Sequence, residues 1–183
     1  MNYYNFKKGG DHMEPEEELI NKVKRDPFYI QYIENPSEKI QLAAVEEDGR
    51  SIQFIKNPSE EVQLMAVIGN GFALQFIKNP SEKIQLAAVK QNGCAIKLIK
   101  NPSEKVQLAA VKEDRSSIQY IENPTEETQL ESVKQNGSDI MFIKNPTEKV
   151  IRTAILNGAK KEYLKHVDIS ELSDETKLMT ELL

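Results

Sequence analysis

The sequence is poor in the residues that carry covalent and metal chemistry. One cysteine, Cys94, stands among 183 residues, so no disulfide can form within the chain. A zinc centre built mainly from cysteines is excluded with it. A lone thiol suits a reducing compartment, and a cytoplasmic location is the expectation. Tryptophan is absent, and the only histidines are His12 and His166. No nucleophile–base spacing, glycine-rich phosphate loop or metal-ligand motif occurs. The expected protein is therefore not an enzyme and holds no cofactor and no metal. No apolar run approaches the ~20 residues that cross a bilayer, so no membrane span is expected. The N-terminus, MNYYNFKKGGDHM, lacks the apolar centre of a signal peptide, and residues 1–12 are expected to form a loose polar tail. A net charge of −5 favours solubility and works against non-specific binding to nucleic acid.

What the chain does have is a repeat. The dipeptide Asn-Pro recurs at Asn35, Asn57, Asn79, Asn101, Asn123 and Asn145, always 22 residues apart. The copy at 79–100, NPSEKIQLAAVKQNGCAIKLIK, shows the unit most clearly. Its spacing predicts two helices. Asn79 is the expected N-cap, with Pro80 at the first helical position and Glu82 closing a capping box. Asn92-Gly93 is expected to end the helix through a left-handed glycine. A second short helix, AIKLIK, then runs to the next Asn-Pro, whose asparagine the proline holds out of the helical region. Ile84, Leu86, Ala87, Ala88 and Val89 cover most of the first helix, leaving a polar sector near Lys83 and Lys90. Such a helix needs neighbours on both flanks, which adjoining copies supply.

The fold expected is all-α: an α-solenoid of about seven 22-residue two-helix repeats, HEAT-like in outline. One domain spans 13–183. Residues 13–34 form a degenerate N-terminal cap unit, 35–166 hold six repeats, and 167–183 supply a C-terminal cap helix. Val23, Ile30, Tyr32 and Ile33 set the cap's register, one period before Val45, Ile52, Phe54 and Ile55.

The string QLAAVKQNG, followed by an Ile-x-x-Ile segment, resembles the leucine-alanine-alanine-valine repeat family of bacteria, phages and large viruses. The Asn-Pro-Ser start is similar to leucine-rich-variant repeats. Both resemblances imply a solenoid, and neither brings a catalytic residue or a named partner. The company kept by the first family implies an antagonist, viral or from a mobile element, that occludes a host defence protein.

Candidate binding residues are sought where the copies differ. In the copy at 57–78, Met65 replaces alanine, Ile68 replaces a charged residue, and Phe72 fills a slot otherwise arginine, cysteine or serine. Ile68 is expected to face solvent and Phe72 to lie in the adjoining loop, an apolar anchor for a partner protein. The alternative is local repacking. Lys90, Lys112 and Lys134 share one position in consecutive copies, with Lys83 and Lys105 on the same face. This stripe could follow a phosphate backbone, which makes nucleic acid the alternative partner, or it could be only a solvated helix face. Arg115 stands where other copies have glycine. It is expected either to strain a left-handed turn or to make contact with a partner. The repeated Gln41, Gln63, Gln85, Gln107 and Gln129 point inward and are expected to satisfy backbone groups. The expected oligomeric state is a monomer or a weak homo-oligomer.

Overall fold

The computed structural model describes residues 14–183. The expected tail, 1–12, and His12 lie outside the described residues. Eight α-helices alternate with seven 3-10 helices, and no strand occurs among the described residues. The α-helices are α1 (Glu16–Arg25), α2 (Glu38–Glu47), α3 (Glu60–Gly69), α4 (Glu82–Gln91), α5 (Glu104–Glu113), α6 (Glu126–Gln135), α7 (Glu148–Leu156) and α8 (Asp174–Glu181). The 3-10 helices are η1 (Pro27–Tyr32), η2 (Gly49–Phe54), η3 (Gly71–Phe76), η4 (Gly93–Leu98), η5 (Arg115–Tyr120), η6 (Gly137–Phe142) and η7 (Lys161–Leu164). Each α-helix packs on the next, and each 3-10 helix packs on the next, giving a two-layered α-solenoid of about seven repeats.

The α-helices start two residues later than the Asn-Pro signal suggests. Ser37, Ser59, Ser81 and Ser103, then Thr125, Thr147 and Ser173, are the N-caps, and glutamate or aspartate takes the first helical position. Ser81 Oγ accepts the Ile84 N–H at 3.4 Å. The capping box centred on Asn79 is thus corrected. The proline's fixed φ shapes the approach to the helix instead of its first turn. The asparagine is not uniformly extended either: Asn35, Asn57 and Asn79 are left-handed, with φ of 52°, 50° and 49°. Asparagine tolerates that region, and it too avoids the conformation the proline forbids.

The glutamates have a different task from the one their spacing suggests. Except at Thr125, the N-cap hydroxyl of one helix donates to the glutamate opening the previous one: Ser59 to Glu38 at 2.5 Å, Ser81 to Glu60 at 3.3 Å, Thr147 to Glu126 at 2.6 Å. Ser37 with Glu16, Ser103 with Glu82, and Ser173 with Glu148 do the same. The rung therefore runs between repeats.

From α1 to α6, asparagine or aspartate ends the α-helix in extended conformation and caps the 3-10 helix after it. Asn92 Oδ1, for example, accepts the Cys94 N–H at 3.0 Å. The glycine that follows in most copies is not left-handed, since Gly158 is the only described glycine with positive φ. Its role is close approach. A Cβ at Gly71 or Gly93 would lie 2.6 Å from the carbonyl oxygen of Ala88 or Ala110 in the next helix, and one at Gly49 2.2 Å from that of Ala66.

The core is an aliphatic column. Val62, Ile84 and Val106 from the α layer stack with Ala66, Ala88 and Ala110, and Ile52, Ile96 and Ile118 close it from the 3-10 layer. The glutamines behave as the sequence suggests. Gln41, Gln63, Gln85, Gln107 and Gln129 each donate Nε2 to the carbonyl of the proline five residues earlier, at 2.8–3.1 Å.

Candidate binding groove on the α layer

The next-to-last residues of α3, α4 and α5 are Ile68, Lys90 and Lys112. One turn earlier on the same face stand Leu64, Leu86 and Leu108, because residues four apart are neighbours on a helix. Among the described residues no third layer covers this face. The leucines are half-buried and Ile68 is 54% exposed. An open groove of about 630 Å³ results, floored by Leu64, Ile68, Leu86 and Ala87. Glu82, Lys83, Lys90, Gln91 and Lys105 form its walls. A second hollow of about 380 Å³ continues it over Leu108 and Ala109, sharing Lys90 and Lys105 and adding Lys112.

The two rival surfaces of the sequence therefore meet: Ile68 and the lysines Lys83, Lys90 and Lys105 line one groove. The rest of the expected anchor lies elsewhere. Met65 is half-buried against the core. Phe72 sits half-buried in η3 with the Lys97 ammonium 4.8 Å over its ring, and it is not part of the groove lining. Lys134, exposed in α6, lines neither hollow. Of the rim lysines, Lys83 reaches Glu60 at 3.1 Å. Lys90, Lys105 and Lys112 enter no ion pair among the described residues.

Arg115 occupies neither a left-handed turn nor the groove, and the expected backbone strain is absent. Its guanidinium bonds the buried Asp139 carboxylate at 2.6 Å. Ser132 Oγ donates to the other oxygen of Asp139 at 3.0 Å. One period before Arg115, Asp139 and Ser132 the same three positions hold Gly93, Ser117 and Ala110, which carry no charge. Burial pushes the Asp139 carboxyl up, against the pull of Ser132 and Arg115.

Cys94 is half-buried, with Sγ 3.2 Å from Asp114 Oδ2. Burial and the neighbouring carboxylate push the thiol up, which keeps it protonated and a poor nucleophile. His166 Nε2 lies 2.9 Å from the Ile143 carbonyl oxygen. Among the described residues no three His, Cys, Asp or Glu side chains gather as a metal site. No helix there is long and apolar enough to cross a membrane.

Two features are not anticipated by the sequence. The leucine floor reads there as packing, because the helix looks surrounded by neighbours. An exposed ladder also runs along the 3-10 layer: Tyr32, Phe54, Phe76, Leu98, Tyr120 and Phe142 close successive 3-10 helices and are each 37–48% exposed. Their 22-residue spacing is visible in the sequence, but only burial separates an outward rung from a core position. Beside Phe54 and Phe76 open clefts of about 440 and 650 Å³, each holding the left-handed asparagine of its turn. The corresponding cleft at Asn101, which is not left-handed, is about 150 Å³.

Compared with protein-family models, with curated proteins and with solved structures, the chain matches none.

Proposed function

We propose that this solenoid is a non-catalytic protein-binding module and that the α-layer groove is its contact surface. The observation that carries this reading is Ile68, exposed at the edge of a groove whose floor is aliphatic on adjacent helices. A charged residue stands at that position in the four copies nearest to it: Glu46, Lys90, Lys112 and Lys134. Aliphatic surface framed by charge is the usual composition of a recognition patch. The groove belongs to stacked helices held by paired rungs, so little conformational freedom is lost when a partner docks. The mode of action is occlusion: the protein covers a surface of its partner. This suits the antagonist of a host defence protein that the repeat resemblance implies.

The second reading, nucleic-acid binding along the lysines, is favoured by one observation, the row Lys90, Lys105 and Lys112. It is opposed by the aliphatic floor, which a phosphate backbone does not fill, and by the absence of any aromatic side chain from the lining. A photocrosslinking residue at position 68, compared with one at Glu46, tests the choice in cells that carry the protein. A discrete protein adduct from position 68 alone is the expected result. Adducts to nucleic acid, or equal labelling from both positions, would overturn it.

A further inference from the structure

Lys83 and Lys90 lie seven residues apart on α4, and Lys105 and Lys112 lie seven apart on α5. Seven residues are two helical turns, about 10 Å of rise. Adjacent packed helices stand about 8–10 Å apart. The four lysine positions therefore mark the corners of a rough square, with the Lys83 ammonium turned toward Glu60 on α3. Leu86 and Ala87 stand between the lysines along α4, and Leu108 and Ala109 between those along α5, since both helices read Lys-x-x-Leu-Ala-x-x-Lys. Along the Lys83–Lys105 row the charge changes sign at both edges, where Glu61 and Glu127 stand on the flanking helices α3 and α6; the Lys90–Lys112 row meets Ile68 on α3 and continues as Lys134 on α6.

We infer that the groove receives an acidic amphipathic α-helix of the partner, lying over the seam between α4 and α5. This deepens the protein-binding reading and rests on it. A guest helix is about 10–12 Å wide with its side chains, which matches the square. Its aliphatic residues, three or four apart, fill the Leu-Ala floor. Carboxylates two turns apart on its two shoulders meet the lysine corners, much as charges flanking an apolar seam choose partners in coiled coils. Small Ala87 and Ala109 let the guest backbone approach closely. Lys90, Lys105 and Lys112 are free of ion pairs among the described residues, so the guest displaces no existing ion pair at those three corners. A phosphate backbone offers no apolar surface for the floor, and a basic helix is repelled by the rim. On an otherwise acidic protein, with net charge −5, the local basic frame also sets this face apart in the partner it attracts.

A displayed library of random peptides, selected on the full chain, tests the inference. The selected set is expected to be acidic, with aliphatic residues at helical spacing. A synthetic peptide from that set should lose roughly tenfold or more in affinity on the Lys90→Glu/Lys105→Glu variant, as the sum of several exposed charge contacts. Reversing the peptide's glutamates to lysine should restore binding to that variant. An unchanged melting temperature shows that the exposed replacements leave the fold intact. Selection of neutral or basic peptides, of nothing, or of peptides indifferent to the variant overturns the inference. So does binding of single-stranded oligonucleotide at the same lysines with steep salt dependence. The outcome separates the two readings: a protein crosslinked at position 68 but indifferent to the lysine variant removes the acidic helix and leaves the protein-binding module.

Discussion

At the scale of single residues, two kinds of glycine can be told apart. A Cβ at Gly93 would lie 2.6 Å from a backbone carbonyl oxygen, whereas at Gly69 nothing comes nearer than 3.8 Å. Gly93→Ala should therefore cost about 1–3 kcal/mol through overpacking. Gly69→Ala, at the last position of α3, should gain up to about 1 kcal/mol in helix propensity. Urea denaturation of both variants checks the pair. The sequence marks both glycines but not the neighbour each one faces. For that reason Gly93 reads in the sequence as a turn, while its real constraint comes from the helix of the next repeat.

Arg115 illustrates the same limit, since its partner Asp139 is 24 residues away. Arg115→Ala should lower stability by roughly 1–2 kcal/mol, because it leaves a buried carboxylate with one bond fewer while solvent reaches the exposed guanidinium. Combining Arg115→Ala with Asp139→Ala and Ser132→Ala should recover most of that loss, since the charge is removed along with its partners. Failure of the triple variant to recover would show that the trio stabilises the stack in its own right.

At the scale of elements, the joints between helices hold the testable chemistry. The Ser173 and Thr176 hydroxyls bond the Glu148 carboxylate and hold it below the usual range. A carboxylate depressed in the folded state stabilises above its ordinary pKa, and the contribution fades as pH falls through the folded value. Asp139 has the opposite sign: its carboxyl is raised, so its ionisation erodes stability as pH climbs from the ordinary value to the folded one. Glu148→Gln should therefore flatten the acid loss of stability, and Asp139→Asn should steepen it, in denaturation series at stepped pH. The glutamine ladder offers a further check. Gln85→Leu removes the bond to the Pro80 carbonyl and should lower stability by about 1 kcal/mol. That the glutamines turn inward is legible from helical angle alone. The N-cap is not, because Asn-Pro and Ser-Glu are both good start signals. The choice between them is made by a bond from Ser81 to Glu60, in another repeat.

At the scale of the whole molecule, periodicity makes the architecture legible, and departures from it only half reveal the groove. Ile68 and the lysines stand out as deviations. Leu64, Leu86 and Leu108 do not, because a repeated leucine looks like core, and only its half-exposure among the described residues shows otherwise. A stack whose units touch only their neighbours should behave additively. Excising 101–122, one full period, should leave a cooperative fold with a smaller dependence on denaturant, in proportion to the surface lost. Excising 101–111, half a period, should abolish cooperative unfolding, because a 3-10 layer would face the wrong partner.

The Ser–Glu rung has one more consequence. At six of the seven joints between described α-helices, the later unit contributes the hydroxyl and the earlier one the carboxylate. The two halves of such a joint are thus encoded about one period apart, and copies that carry both halves can follow one another. Unequal recombination between these near-identical stretches would lengthen or shorten the molecule by whole units without creating a new kind of interface. The reach of the binding surface then becomes a heritable quantity that changes in steps, while the joint chemistry stays constant.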